Sequence, residues 1–285
     1  MLNKIRALLE MIKFKHTVFA LPFAFMGAFL AVRGLPSMQV FLWVVVAMAG
    51  ARTCAMGFNR IVDRRFDAMN PRTANRALPA GEVTLVESWL MVVISAALFF
   101  VACSMLNRLA LLIAPFALAL TLIYSLTKRF TWLCHVVLGL ALAFSPLGGW
   151  VAVSGSFEGF PWFLSLGVLF WVAGFDTIYA CLDADFDRES GLYSLPSRFG
   201  RRRAFHLAVF LHVLAFIFFT ATGYVTRLNN YYFAGIGIAG CALFYQHIVV
   251  NPTDLSRIRL SFFSMNGIIS ITLFAATWLS LVTNG

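Results

Sequence analysis

Nine times along this chain a run of roughly twenty apolar residues recurs, broken only by short polar stretches. That feature leaves few folds open. A helix of about 20 apolar residues is long enough to cross the ~30 Å hydrocarbon core of a bilayer, and backbone in lipid must satisfy its own hydrogen bonds. The runs are continuously apolar and lack an alternation of period two, which argues against a β-barrel. Spans are expected at roughly 16–34, 38–58, 84–106, 109–126, 131–153, 160–180, 204–226, 231–250 and 262–282. Only 12% of the residues are charged, against about 25% in soluble domains. The expected fold is an all-α polytopic membrane protein, with residues 1–285 forming a single domain.

The basic residues orient it. With the N-terminus on the cytoplasmic side, nineteen of the 22 Lys and Arg fall on that face, leaving Arg33, Arg108 and Arg227 on the other. The net charge of +10 is thus mostly a topology signal plus attraction to anionic lipid. It does not point to nucleic acid, because no soluble basic domain is left to bind it. An integral protein of the bacterial inner or plasma membrane type is expected. The first fifteen residues, MLNKIRALLEMIKFK, have the basic amphipathic pattern of an interfacial helix rather than of a cleaved signal peptide. Cys54, Cys103, Cys134, Cys181 and Cys241 are scattered through the spans and read as small packing residues. RRR at 201–203 reads as an anchor on the positive side.

The acids are rarer and more telling. The chain has twelve, and seven of them sit in two short segments: Asp63 and Asp67, then Asp176, Asp183, Asp185, Asp187 and Glu189. Both segments contain D-x-x-x-D, offset by 120 residues. The first follows span 2 and the second follows span 6, so an even number of crossings returns both to the cytoplasmic face. At about 100° per residue, a spacing of four drifts only about 40°. Asn59, Asp63 and Asp67 therefore share one helix face, with Arg52 close to it. Asp176, Tyr179, Asp183 and Asp187 share another. Asp185 lies about 180° from Asp176 if the helix continues, and is expected to point elsewhere.

Two facing carboxylate rows repel unless a cation lies between them. Paired carboxylates suit a hard ion such as Mg²⁺, which keeps waters and completes its shell with substrate phosphates. The surrounding arginines suit phosphate as well. The composite reads as a Mg²⁺–diphosphate site at a membrane face. Simple i,i+4 salt bridging explains one such motif and poorly explains two in register.

The segments FNRIVDRRFDAMNPRTANRALPAG (58–81) and DTIYACLDADFD (176–187) resemble the two Asp-rich motifs of the UbiA family of intramembrane aromatic prenyltransferases. YSLTKRFTWLCHVVLGLALAFSPLGGW (124–150) is similar to that family's segment between its central helices. The resemblance implies nine transmembrane helices around a central cavity, a cytoplasmic cap carrying the Asp motifs, and a lateral opening for a polyprenyl chain. It implies Mg²⁺-dependent transfer from polyprenyl diphosphate to a hydroxylated aromatic carboxylate in quinone biosynthesis. Arg60 departs from the N-D-x-x-D form that the first motif often takes. The opening KFKHTVFALPFAF, with AMNPRTANRALPAG and GLYSLPSRFG, is more similar to a branch acting on a dihydroxynaphthoate in menaquinone synthesis than to 4-hydroxybenzoate enzymes of ubiquinone synthesis.

Carried onto this sequence, the resemblance implies metal ligation by Asn59, Asp63, Asp67, Asp183 and Asp187. Lys128 and Arg129 occupy the family's KR position and are candidates for the diphosphate oxygens. Asp176, an acid inside a span and so functional by default, is a candidate proton acceptor. Arg52 is a candidate partner for the acceptor's carboxylate, the alternative being a structural Arg52–Asp176 ion pair. Tyr179 and Tyr124 are candidates to face the allylic cation, and His16 to contact substrate. Asn70-Pro71 is expected to stop the first motif's helix, leaving Arg72 and Arg76 on a loop that can fold over the cavity. Three other readings compete: an ion- or proton-coupled transporter, a CDP-alcohol phosphotransferase-like enzyme and a non-catalytic lipid-binding protein. A transporter usually places its acids near the midplane, whereas four of the seven aspartates here lie in one fourteen-residue stretch near a membrane face. A phosphotransferase of that kind gathers its acids into one motif, not two.

Overall fold

A computed structural model describes Leu8, residues 20–258 and residues 261–283. The N-terminal amphipathic segment and His16 lie outside the described residues. The elements run α1 (Leu21–Val32), α2 (Met38–Met69), α3 (Leu85–Leu106), α4 (Arg108–Thr127), α5 (Cys134–Ser154) and α6 (Trp162–Ala180). A 3-10 turn (Cys181–Asp183), α7 (Ala184–Glu189), α8 (Leu195–Phe199), α9 (Arg201–Val225) and α10 (Asn230–Val249) follow. A π turn (Ser261–Met265) leads into α11 (Asn266–Thr283). The described residues contain no strand. Eight helical segments among them are long and apolar enough to cross a membrane, and α1 is a shorter apolar helix of 12 residues. These nine fall where the nine spans were expected.

Two groups of helices supply the packing. Ala47, Cys54, Val92, Phe99, Ala114 and Leu118 form a core within α2, α3 and α4. Phe23, Trp171, Phe219, Tyr232 and Leu273 centre a larger core that joins α1, α6, α9, α10 and α11. Short α1 is held by close approach to α5. A Cβ on Gly27 would overlap the carbonyl of Pro146, and one on Gly149 would overlap that of Ala24. At the opposite end from the Asp motifs, Asn107 pins the α3–α4 turn to α5, its Nδ2 donating to the Val151 carbonyl at 2.7 Å.

Length places the first motif. Ser37 caps the start of α2 by accepting from the Val40 amide. At 1.5 Å per residue, its 32 residues extend about 48 Å, well beyond a ~30 Å apolar core. The last turns, with Asn59, Asp63 and Asp67, therefore project past the apolar part. The helix ends where expected: Asn70 is extended, as a residue before proline prefers.

The second motif is built differently. The helix does not continue evenly from Asp176 to Asp187. It tightens after Ala180, where the Cys181 amide is shared between the Ile178 and Tyr179 carbonyls, a common way for a helix end to turn 3-10. Helix α7 then carries Asp187.

Candidate functional site

A cavity of about 440 Å³ opens between the α2–α4 group and helices α5 and α6. Its deep walls are apolar and mostly small, among them Ala47, Ala110, Ala114 and Ala141. Its other end carries nearly all the chemistry. Asn59, Asp63, Asp67, Asp176, Asp183 and Asp187 line it, as do Arg52, Tyr124, Lys128, Arg129 and Tyr179, and Arg72 and Arg76 from the loop after α2. Every candidate singled out from the sequence that falls within the described residues reaches this one cavity. Asp185 does not: its carboxylate is 64% exposed and pairs with Arg201 at 2.6 Å and Arg188 at 3.6 Å. Asp185 thus points away from the cavity, as its helical spacing predicts, despite the 3-10 turn at Cys181–Asp183.

Four aspartates here meet four basic side chains. Asp63 pairs with Arg129 at 3.4 Å, Asp67 with Arg76 at 2.7 Å and Asp187 with Lys128 at 3.1 Å. Asp183 takes a two-pronged contact from Arg72, whose Nε donates to Oδ1 at 2.8 Å while Nη2 donates to Oδ2. A guanidinium fork matches a carboxylate in this way and a lysine does not. The Arg72 guanidinium also lies over the Tyr179 ring, 5.6 Å from its centroid. Burial disfavours the Arg72 charge, but its bonds to Asp183 outweigh that and raise its pKa. Lys128 behaves alike: burial works against the ammonium, and Asp187 more than restores it.

These pairs stitch the two motifs together. Arg72, on the loop after the first motif, binds the second. Lys128 and Arg129, at the end of α4, bind one motif each. Arg129 also donates to the Val62 carbonyl at 2.6 Å, fixing the end of α4 against α2. Within the first motif, Asn59 Nδ2 donates to Asp63 Oδ2 at 2.9 Å and Arg60 donates to Asn59 Oδ1 at 3.2 Å. Arg60 is buried and sits 3.9 Å from Asp67 Oδ2, too far for a hydrogen bond.

Among the described residues, three buried polar atoms of cavity-lining side chains have no hydrogen-bond partner: Asp67 Oδ2, Arg52 Nε and Ser125 Oγ. Such atoms are costly to leave unpaired. They mark places where a ligand gains most by binding.

The structure also adds residues that the sequence did not single out. Asp176 does not pair with Arg52. Its Oδ2 lies 2.7 Å from Nδ1 of His135, a fully buried side chain. No sequence signal joined these two, since a single histidine on an apolar helix carries no spacing to its partner. Asn70 does more than end α2. Its Nδ2 donates to Asp183 Oδ1 at 3.0 Å, and its Oδ1 accepts from the Arg72 amide at 2.9 Å. Arg60, read as a departure from a motif, is a buried member of the site.

Among the described residues, no three acid, histidine or cysteine side chains are gathered closely enough to hold an ion as they stand. The donors that line the cavity are nonetheless carboxylate and amide oxygens, the set that Mg²⁺ prefers, and Asp67 Oδ2 is an unsatisfied member of it.

Residues 20–268 match the UbiA prenyltransferase family. The 4-hydroxybenzoate octaprenyltransferase of Citrobacter koseri is 30% identical over 252 residues, covering 88% of this chain and 86% of that protein. A UbiA homologue from Aeropyrum pernix K1 superposes with a TM-score of 0.85 at 35% identity, over 92% of this chain and 96% of that one. A UbiA homologue from Archaeoglobus fulgidus, solved bound to GPP and Mg²⁺, shares the fold at 18% identity with a TM-score of 0.70, over 97% and 99% of the two chains.

Proposed function

This integral membrane chain belongs to the UbiA prenyltransferase family, and from that premise we propose that it moves a polyprenyl group from polyprenyl diphosphate onto a ring carbon of a hydroxylated aromatic carboxylate. The observation that carries the reading is that one cavity joins a cluster of acids and bases at one end to an apolar interior at the other. The donor's diphosphate belongs with the first and its prenyl tail with the second. The distribution of basic residues in the sequence supports a cytoplasmic side for this charged end and for the N-terminus.

Mg²⁺ would be held by Asn59, Asp63, Asp67, Asp183 and Asp187, some of them through water; bound there, it would neutralise charge on the departing diphosphate. The chain's own cations serve the same end. Arg72, Arg76, Lys128 and Arg129 already face the cavity and donate to the four acids. When diphosphate enters, they can donate to its oxygens instead. The bond between the allylic C1 and the diphosphate oxygen breaks, and the electron pair leaves with the oxygen. Tyr124 and Tyr179 line the space where the allylic cation forms, and the apolar walls keep water from capturing it.

The acceptor needs an anion partner and a proton acceptor. Arg52, with its buried unpaired Nε, suits the carboxylate. Asp176 suits the hydroxyl proton. Loss of that proton makes the ring electron-rich. A ring carbon then forms the new C–C bond to C1, the proton it carried passes to the released diphosphate to restore aromaticity, and Asp176 returns its proton to the ring oxygen. Sequence features favour a dihydroxynaphthoate acceptor, and the name of the relative in Citrobacter koseri supports 4-hydroxybenzoate.

The test gives purified protein one polyprenyl diphosphate with 4-hydroxybenzoate or 1,4-dihydroxy-6-naphthoate, with Mg²⁺ or with chelator. Prenylated product and released diphosphate are measured together. Turnover of either acceptor that stops on chelation is the expected result. Release of diphosphate with no product from either acceptor would overturn the aromatic assignment, and turnover of 4-hydroxybenzoate alone would exclude the naphthoate.

A further inference from the structure

We infer that His135 is a positioning residue for Asp176, held in one tautomer by a backbone amide so that it aims the carboxylate at the acceptor. The inference rests on the role proposed for Asp176. Both imidazole nitrogens are engaged. Nδ1 lies 2.7 Å from Asp176 Oδ2, and Nε2 lies 3.3 Å from the amide nitrogen of Leu195. An amide N–H can only donate, so Nε2 must be bare and accept. The proton therefore sits on Nδ1 and is donated to Asp176.

The amide is free for this purpose because of where it lies. Leu195 opens α8, and first-turn amides of a helix have no partner within it. The Ser194 hydroxyl accepts from the third of them, that of Ser197, and Pro196 has no N–H. Leu195 is left with a buried donor, and His135 accepts it. The same segment touches two other parts of the site. The Leu192 amide donates to the Asp187 carbonyl at 2.7 Å, and the Tyr193 amide donates to the Lys128 carbonyl at 2.7 Å. Residues 192–195 thus form a strap that sets Asp187, Lys128 and, through His135, Asp176 relative to one another.

His135 itself is completely buried and absent from the cavity wall, while Asp176 lines it. The imidazole acts only through the carboxylate. With Oδ2 tied, Asp176 cannot swing its charge away from the cavity, and Oδ1 remains for the acceptor's hydroxyl. The proton gained in the reaction does not pass on to His135, because the Nδ1 site already has one and Nε2 faces an N–H, so it returns from Asp176 to the ring oxygen.

The test compares His135→Leu, His135→Asn, Asp176→Asn and the double variant His135→Leu/Asp176→Asn in the full-length protein, each first checked for a monodisperse detergent-solubilised form. His135→Leu removes both hydrogen bonds. Asn keeps a donor close to the place of Nδ1. His135→Leu is expected to lower kcat by up to about 100-fold, the cost of a misplaced reacting group, with the KM for polyprenyl diphosphate within about twofold. His135→Asn should recover most of that loss. In the Asp176→Asn background, His135→Leu should add almost nothing, since two residues acting as a unit are not additive. Losses that multiply in the double variant, or an Asn variant as poor as Leu, would overturn the inference while leaving Asp176 in its role. Full activity in Asp176→Asn would remove the role of Asp176 itself, and the positioning of it by His135 with it.

Discussion

The two D-x-x-x-D motifs have the same spacing and different surroundings. Asp63 and Asp67 stand on an unbroken 32-residue helix. Asp183 and Asp187 straddle the junction of a 3-10 turn and a six-residue helix. Asp63 keeps 29% of its side-chain surface exposed, whereas Asp187 keeps 2%. The first motif can rely on its own helix for shape. The second needs outside support and receives it from Arg72, Asn70, Lys128 and the 192–195 strap. Equal spacing in sequence therefore does not mark equal structure, although both pairs of carboxylates line the same cavity. One motif is a rigid edge, and the other is a surface assembled by its neighbours.

If the motifs are chemically equivalent, each must be indispensable. Asp63→Ala and Asp183→Ala are both expected to cut turnover by roughly 100-fold or more, the scale on which charge stabilisation at a reacting centre operates. Chelation of Mg²⁺ should do at least as much. Initial rates across a Mg²⁺ titration check this. If one motif tolerated alanine at saturating Mg²⁺, the pairing of the two would be wrong.

The shared placement of the two motifs at the cavity was legible in the sequence because helical geometry maps spacing onto a face. A four-residue repeat needs no tertiary information to bring Asn59, Asp63 and Asp67 to one side. The count of spans between the motifs was legible too, because apolar length is a local property. What supports the second motif was not legible. Leu195 contributes a backbone amide, which every residue but proline has. His135 meets Asp176 from 41 positions away with no repeat to reveal it. Asn70 was visible as a helix stop, yet its bond to Asp183 depends on how the loop folds back.

The support offered by Arg72 gives the next largest effect. Arg72→Ala removes both prongs on Asp183 and a cation from the charged end of the cavity. A loss of kcat/KM for polyprenyl diphosphate of about 10- to 100-fold is expected, on the scale of a charged hydrogen-bonded pair left half-made. Arg72→Lys should recover only part of it, because an ammonium cannot form the fork. The matching change on the rigid motif, Arg76→Ala, should cost less, since α2 holds Asp67 without it. Equal losses in the two alanine variants would show that the second motif is no more dependent on its neighbours than the first.

Arg52 lies on the helix of the first motif but away from its carboxylates, so its loss should separate acceptor from donor. Arg52→Ala is expected to raise the KM of the aromatic carboxylate about tenfold, the loss of one charge-assisted contact. The KM for polyprenyl diphosphate should stay nearly unchanged. Steady-state kinetics with each substrate varied in turn checks the split. A parallel rise in both constants would place Arg52 at the diphosphate and leave the acceptor's anion without its partner.

The smallest expected effect comes from Asp185, and it bears on the comparison because Asp185 lies inside the second motif. By residue type it is one more acid among Asp183, Asp185 and Asp187, and only its helical phase sets it apart in the sequence. Its direction in the structure agrees with that phase. The carboxylate points out to solvent, where it pairs with Arg201 and Arg188. An exposed ion pair of this kind contributes about 0–1 kcal/mol to stability, and less at high salt. It touches neither the cavity nor any residue assigned to the diphosphate. Asp185→Ala should therefore leave kcat and both KM values within about twofold, the range expected of a surface change away from the site. Asp183→Ala, two residues earlier, should abolish most turnover. The contrast tests backbone geometry directly, since the two variants remove the same charge from the same motif. If Asp185→Ala proved as damaging as Asp183→Ala, the second motif would have to present a different face to the cavity when substrate is bound, and the turn at Cys181–Asp183 would be the place where it rotates.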